Sequence, residues 1–132
     1  MEAVVIGEHC KVSYIEEVPC IMIQWFGLPP TEEFRMGCNT VLEMMKKYSA
    51  TKVLTDNSHV KVFSVTDQKW LNETWLPKAE ALGYRVSATL IAEGDPFVTF
   101  AVNNIMANRN PNKFKARYFT KYDEAIQWLK EC

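Results

Sequence analysis

Ile21-Met22-Ile23-Gln24-Trp25-Phe26 is an apolar run of strand length that leads into a helical pattern beginning near Thr31. Three more apolar runs are each followed by a helical pattern, at residues 52–56, 85–91 and 114–119. This alternation is typical of an α/β fold in which parallel strands are joined by right-handed helical crossovers. We therefore predict a single mixed, mostly parallel sheet with helices on both faces, two on each side.

Two further patterns complete the predicted order of elements. At the amino end, the β-branched runs Glu2–Gly7 and Lys11–Glu16 have no helical pattern between them, which predicts an antiparallel meander feeding the central sheet. After residues 85–91, Asp95 as a cap and Pro96 at the first helical position predict the start of the third helix.

The composition is that of one ordinary globular domain, which we place over residues 1–132. Charged residues make up 23% and apolar residues 48% of the chain. A formal net charge of −1 gives no overall attraction to nucleic acid or to an anionic membrane, and no apolar run is long enough for membrane insertion. Because no basic region or cleavable apolar stretch follows Met1, we expect no secretory signal and a cytoplasmic location.

The sequence contains no motif for a metal or a cofactor. Its four cysteines, at positions 10, 20, 38 and 132, include no Cys-x-x-Cys pair and predict reduced thiols rather than disulfides. His9 beside Cys10 supplies only half of a zinc site. The glycine-rich nucleotide-binding patterns are missing from the sequence. We therefore expect neither a metal nor a cofactor.

Three stretches match the pattern of a known family: Lys52-Val53-Leu54-Thr55-Asp56-Asn57-Ser58, Val65-Thr66-Asp67-Gln68-Lys69-Trp70-Leu71, and Tyr118-Phe119-Thr120-Lys121-Tyr122-Asp123-Glu124-Ala125-Ile126-Gln127-Trp128-Leu129. With the order of elements from about Cys20 onward, they make the chain resemble the STAS domain, and specifically the SpoIIAA-like family. The resemblance implies the fold of the bacterial anti-sigma-factor antagonists and a regulatory module that binds a protein partner. The family is also similar to a small lipid-binding fold of the CRAL-TRIO type.

The resemblance also points to a regulatory site. In the antagonists, a serine after the aspartate at the strand end is phosphorylated by the anti-sigma kinase. Aligned on Asp56, that site falls on Asn57-Ser58, and we expect Asp56 at the end of a central strand with Asn57 and Ser58 in the following loop. The alternative is a structural turn in which these side chains cap their own backbone.

A hydrolytic site built from the same segment is not expected. A serine nucleophile needs a base within hydrogen-bond reach. Ser58 and His59 are neighbours, and neighbouring side chains of an extended segment point to opposite faces. We therefore predict that the protein is not an enzyme.

Sixteen aromatic residues are many for a chain of this length. Some of them are candidates for an apolar pocket, or for a core with a dimer contact: Phe63, Trp70, Trp75, Phe97 and Phe100. The apolar loop around Val60, Val62 and Phe63 would either cover its own domain as a lid or form a two-fold contact. We favour the contact and a homodimer; the alternative is a carrier or sensor of a small apolar, lipid-like ligand held between the sheet and the helices.

Overall fold

The computed structural model describes residues 3–94 and 114–132, in which six strands form one sheet. The strands are adjacent in the order in which they occur along the chain: β1 (Ala3–Ile6), β2 (Cys10–Ile15), β3 (Cys20–Gly27), β4 (Lys52–Val60), β5 (Val86–Ile91) and β6 (Lys115–Phe119). The first three pair antiparallel, which confirms the predicted meander. From β3 to β6 all pairs are parallel, which confirms the parallel alternation.

The described helices follow the strands as the patterns predict. They are α1 (Thr31–Tyr48), α2 (Val65–Trp70), α3 (Leu76–Ala81) and α4 (Tyr122–Glu131). A π-helical turn, Leu71–Trp75, joins α2 to α3 immediately before Pro77. Proline has no N–H and its ring crowds the carbonyl four residues earlier, so the wider turn keeps the helix continuous there. Within residues 3–94 and 114–132, no helix combines the length and apolar character needed to cross a membrane.

Each face of the sheet carries its own core, which confirms that helices lie on both faces. On the first face, α1 and the α2–α3 segment pack over alternate strand residues such as Ile23 and Val53. On the second face, Leu129 of α4 packs over Cys20 and Leu54.

The predicted division into two helices on each face stays a prediction, because the structure describes only three of the four predicted helices. Both crossovers in that part of the chain, α1 and α2–α3, pack on the first face, and α4 packs on the second. The strand order advances in one direction from β3 to β6, and successive right-handed crossovers in one direction must lie on the same face. The helix predicted at Asp95 lies outside the described residues.

Candidate functional site

β4 extends past Asp56 to Val60, so Asn57 and Ser58 lie within the strand rather than in a loop as predicted. Gln24 of β3 pairs with Asp56, and Phe26 pairs with His59. Two residues of β4 therefore oppose one residue of β3, which is a β-bulge. Pairing with the end of β3 satisfies backbone groups that a loop would leave to solvent.

The bulge changes which side chains share a face of the sheet. Asn57 lines a cavity on the first face, whereas Asp56, Ser58 and His59 all line a cleft on the second face. In a regular strand, Ser58 and His59 would point to opposite sides. The prediction that they do so is wrong, because the extra residue of the bulge shifts the alternation by one.

Asp56 holds the bulge through Ser58. Asp56 Oδ1 accepts a hydrogen bond from the Ser58 backbone N–H at 2.9 Å and another from the Ser58 hydroxyl. Asp56 is buried and Ser58 is half-buried. His59 is exposed, and its ring stacks on that of Phe26 with 5.9 Å between centroids. The carboxylate therefore orients the serine, whereas in a serine-nucleophile triad it would orient the histidine.

The cleft on the second face, here called the polar cleft, has a volume of about 500 Å³. Its walls come from β2, β3, β4 and the residues around the start of α4: Lys11, Ser13, Ile15, Met22, Gln24, Asp56, Ser58, His59, Leu90, Thr120 and Tyr122. Its charged lining residues, Lys11 and Asp56, have opposite sign. The polar cleft thus places the half-buried Ser58 hydroxyl among groups that can donate and accept hydrogen bonds.

The cavity on the first face, here called the internal cavity, has a volume of about 70 Å³. Among the predicted aromatic residues, Phe63 and Trp75 line it. Trp70 packs its ring edge-on against Phe34, with 6.2 Å between centroids. Phe97 and Phe100 lie outside the described residues.

A hydrogen bond between two helical segments holds the wall of the internal cavity that the helices form. The Trp75 indole Nε1 donates a buried hydrogen bond to the Cys38 carbonyl oxygen at 2.7 Å, which ties the π-helical turn to α1. The Cys38 thiol also lines the cavity. Burial raises the pKa of that thiol well above its usual value, and the nearby Cys10 and Asp67 raise it further. Cys38 is therefore a neutral wall residue.

The loop after β4 covers its own domain. Phe63 is 5% exposed and packs edge-on against Trp25 and Phe34, with centroid separations of 5.8 and 5.5 Å. The expectation that Phe63 sits in a two-fold contact does not fit this position, because the ring is already enclosed by its own chain. Its neighbour Val62 is 44% exposed.

Exposed apolar side chains cluster where β3 and β4 end. The Lys61 N–H donates to the Gly27 carbonyl oxygen at 2.7 Å, which holds the two following loops side by side. Leu28 and Val62 of these loops and Val65 at the start of α2, here called the edge patch, are 56%, 44% and 76% exposed. The sequence analysis did not identify Leu28 and Val65, because a local pattern does not show whether an apolar residue outside the strands is buried or exposed.

Known proteins resemble this chain in structure but not in sequence. No known family model matches it, and comparison with curated proteins finds no match. The anti-sigma factor antagonist SpoIIAA in its unphosphorylated form aligns over 93% of this chain and 97% of its own, with 11% identity and a TM-score of 0.66. The phosphorylated form of SpoIIAA from Bacillus aligns over 91% and 98%, with 15% identity and a TM-score of 0.53.

A third structure extends the comparison to another bacterium. An uncharacterised protein from Shewanella loihica PV-4 with a SpoIIAA-like fold aligns over 98% of both chains, with 16% identity and a TM-score of 0.61. At sequence identities of 11–16%, the structural similarity shows a shared fold and nothing more specific. The chain therefore has the SpoIIAA-like fold of the STAS domain.

Proposed function

We propose that the protein is a single-domain, non-enzymatic regulatory module of the cytoplasm that acts by binding other protein chains. The observation that carries this proposal is the likeness to SpoIIAA, an anti-sigma factor antagonist, over nearly the full length of both chains. Fold alone does not fix function, so the proposal also depends on a surface suited to protein contacts.

The edge patch supplies that surface. Leu28 and Val62 lie on adjoining loops, and Val65 begins α2, at the carboxyl edge of the parallel strands, where α/β sheets bind their ligands. Burying exposed apolar side chains against a partner is favourable because it removes them from water. We propose this patch as the contact surface for a regulatory protein partner or for a second copy of the chain in a homodimer.

We further propose Ser58 as the regulated position, with Asp56 and Asn57 as its supporting residues. A phosphate on Ser58 would carry a charge of about −1.5 to −2 at neutral pH. It would abolish the hydroxyl hydrogen bond to Asp56 and place like charges side by side, which disfavours the bulge. Lys11 and His59 line the same cleft and are candidates to contact the phosphate.

The test compares exposed apolar residues inside the edge patch with one outside it. Quantitative affinity purification of the tagged protein should recover a specific partner with the wild type and lose it with Leu28→Lys/Val65→Lys. The matched control is Val5→Lys in β1, since Val5 is also largely exposed but lies outside the edge patch. Sedimentation velocity of the same three proteins reports whether a homodimer forms through the patch.

Two results would contradict the proposal. The first is a wild type that is monomeric and recovers no protein beyond those captured by the unrelated tag control. The second is a set of partners that the edge-patch variant retains in full. Incubation with the partner kinase, once recovered, should add one phosphate to the wild type and none to Ser58→Ala.

A carrier of a lipid-like ligand is the other candidate function. The internal cavity favours a much smaller ligand, because pockets for drug-sized molecules span about 300–1,000 Å³ and this cavity has about 70 Å³.

A further inference from the structure

Asn57 is a buried polar side chain with an unused acceptor. It is 3% exposed and lines the internal cavity. Its Oδ1 has no hydrogen-bond partner in the part of the chain that the structure describes. A buried acceptor without a donor is unfavourable, and native proteins usually satisfy it with protein groups, water or a ligand. The regular alternation of β4 places Asn57 on the first face with Val53 and Thr55, and its Oδ1 is there an acceptor without a donor.

The walls of the cavity divide into a polar side and an apolar side. On the sheet, Thr55 of β4 and Thr89 of β5 are register partners, and Ser87 lines the cavity beside them. These hydroxyl-bearing residues share the floor with Asn57. On the helical side, the aromatic rings of Phe63 and Trp75 form the wall. Among the lining residues in 3–94 and 114–132, none carries a charged side chain, which disfavours an ionic ligand because an unpaired ion would lose its hydration there.

We propose that the internal cavity is a binding site for a small neutral molecule with a hydroxyl or other donor on a short apolar body. The donor binds Asn57 Oδ1, and the apolar part packs against the aromatic wall. The size follows from the volume, because an apolar cavity of about 150 Å³ accommodates benzene, and this one has about 70 Å³. The ligand class is therefore that of short-chain alcohols. The proposal does not depend on the protein contacts proposed above.

A pair of isomers tests the donor directly. Ethanol and dimethyl ether have the same atoms and are small enough for the cavity, but only the alcohol has a donor. Each is titrated into the isotopically labelled full chain, and amide, Asn side-chain and indole resonances are followed by NMR. We expect saturable shifts at Asn57 and Trp75, with ethanol binding about tenfold more tightly than dimethyl ether, equivalent to about 1.4 kcal/mol.

Two variants distinguish recognition of the hydroxyl donor from non-specific filling of the internal cavity. Asn57→Leu keeps the side-chain shape and removes the acceptor, so the alcohol should lose its advantage over the ether. Val41→Ile adds a methylene to a buried wall residue and should weaken both isomers. The second variant keeps the test decisive if Asn57→Leu does not fold.

Several outcomes would overturn the proposal. If neither isomer causes saturable NMR shifts at any concentration that stays in solution, the internal cavity holds water only and does not bind this class of ligand. Equal affinity of the wild type for both isomers would show that Asn57 does not select a donor. Shifts spread over the surface, or unchanged by Val41→Ile, would place binding elsewhere.

Discussion

Asp56 Oδ1 accepts hydrogen bonds from both the backbone N–H and the hydroxyl of Ser58, two residues farther along the same strand. This double acceptance spans the bulge of β4 and fixes the directions of the side chains on either side of it. Asn57 is turned to the internal cavity, and Ser58 is turned with His59 to the polar cleft. The Asp56–Ser58 pair thus sets the arrangement of both candidate sites.

The first prediction concerns this pair. Asp56→Ala removes both hydrogen bonds and should lower the free energy of unfolding by about 1.5–3 kcal/mol, the range for hydrogen bonds to charged groups. Ser58→Ala retains the bond from the backbone N–H and should cost about 1 kcal/mol or less. Urea denaturation measures both changes. A loss with Ser58→Ala as large as that with Asp56→Ala would show that the backbone bond does not hold the bulge.

The second prediction concerns the loop after β4. Phe63→Glu places a charge in the aromatic core beside Trp25 and Phe34, without a described partner, and should yield unfolded or insoluble protein. Val62→Glu changes an exposed position and should leave the circular dichroism spectrum and melting midpoint nearly unchanged. Val62→Glu is therefore the suitable variant for testing the homodimer. A folded, stable Phe63→Glu protein would contradict the assignment of Phe63 to the core.

The third prediction concerns the contact between the π-helical turn and α1. Trp75→Phe removes the indole donor to the Cys38 carbonyl and should lower the free energy of unfolding by about 1–3 kcal/mol. Trp128→Phe is the control, since it makes the same replacement at a half-buried ring on α4. Chemical denaturation of both variants tests the difference. Equal losses would indicate that ring size, and not the hydrogen bond, determines the effect.

The fourth prediction concerns the second core. Leu129 of α4 is fully buried, whereas Trp128 is half-buried with its ring 5.7 Å from that of Phe119. Leu129→Ala should cost about 2–5 kcal/mol, as is usual for a leucine removed from a packed core. Trp128→Ala should cost less, because its ring already contacts solvent. The reverse order of thermal midpoints would mean that the indole, not the leucine, anchors α4.

The fifth prediction concerns thiol reactivity. Burial raises the pKa of Cys10 and of Cys20 to about 12 and that of Cys38 well above its usual value. At about pH 8 these thiols stay protonated and enclosed, and the thiolate is the reactive form. Iodoacetamide should therefore modify only the half-exposed Cys132 in the folded protein. Mass spectrometry counts the labels, and Cys132→Ser should remove the single fast one; rapid labelling of Cys38 would contradict the enclosed cavity wall.

Much of the fold could be predicted from local pattern. The run from Ile21 to Phe26 is apolar on both faces, and its side chains enter both cores of the sheet. The SpoIIAA-like fold was also recognisable from stretches such as Lys52–Ser58. The face to which each helix belongs was not predictable from those patterns, because it depends on the spatial order of the strands. The position of Asp56, Asn57 and Ser58 toward the end of a central strand was predictable from the sequence, whereas the bulge that brings Ser58 and His59 to one face was not.

The sequence by itself determined where strands and helices form, because periodicity, caps and turn residues act over a few positions along the chain. Only the tertiary structure decided that Ser58 and His59 lie on the same face of the sheet. That depends on two residues of β4 opposing one residue of β3, a pairing between segments far apart in sequence. The burial of Phe63 has the same kind of cause, since its ring is enclosed by Trp25 from β3 and Phe34 from α1. The unpaired oxygen of Asn57 also depends on tertiary structure, because the internal cavity that Asn57 lines does not exist until distant segments pack together.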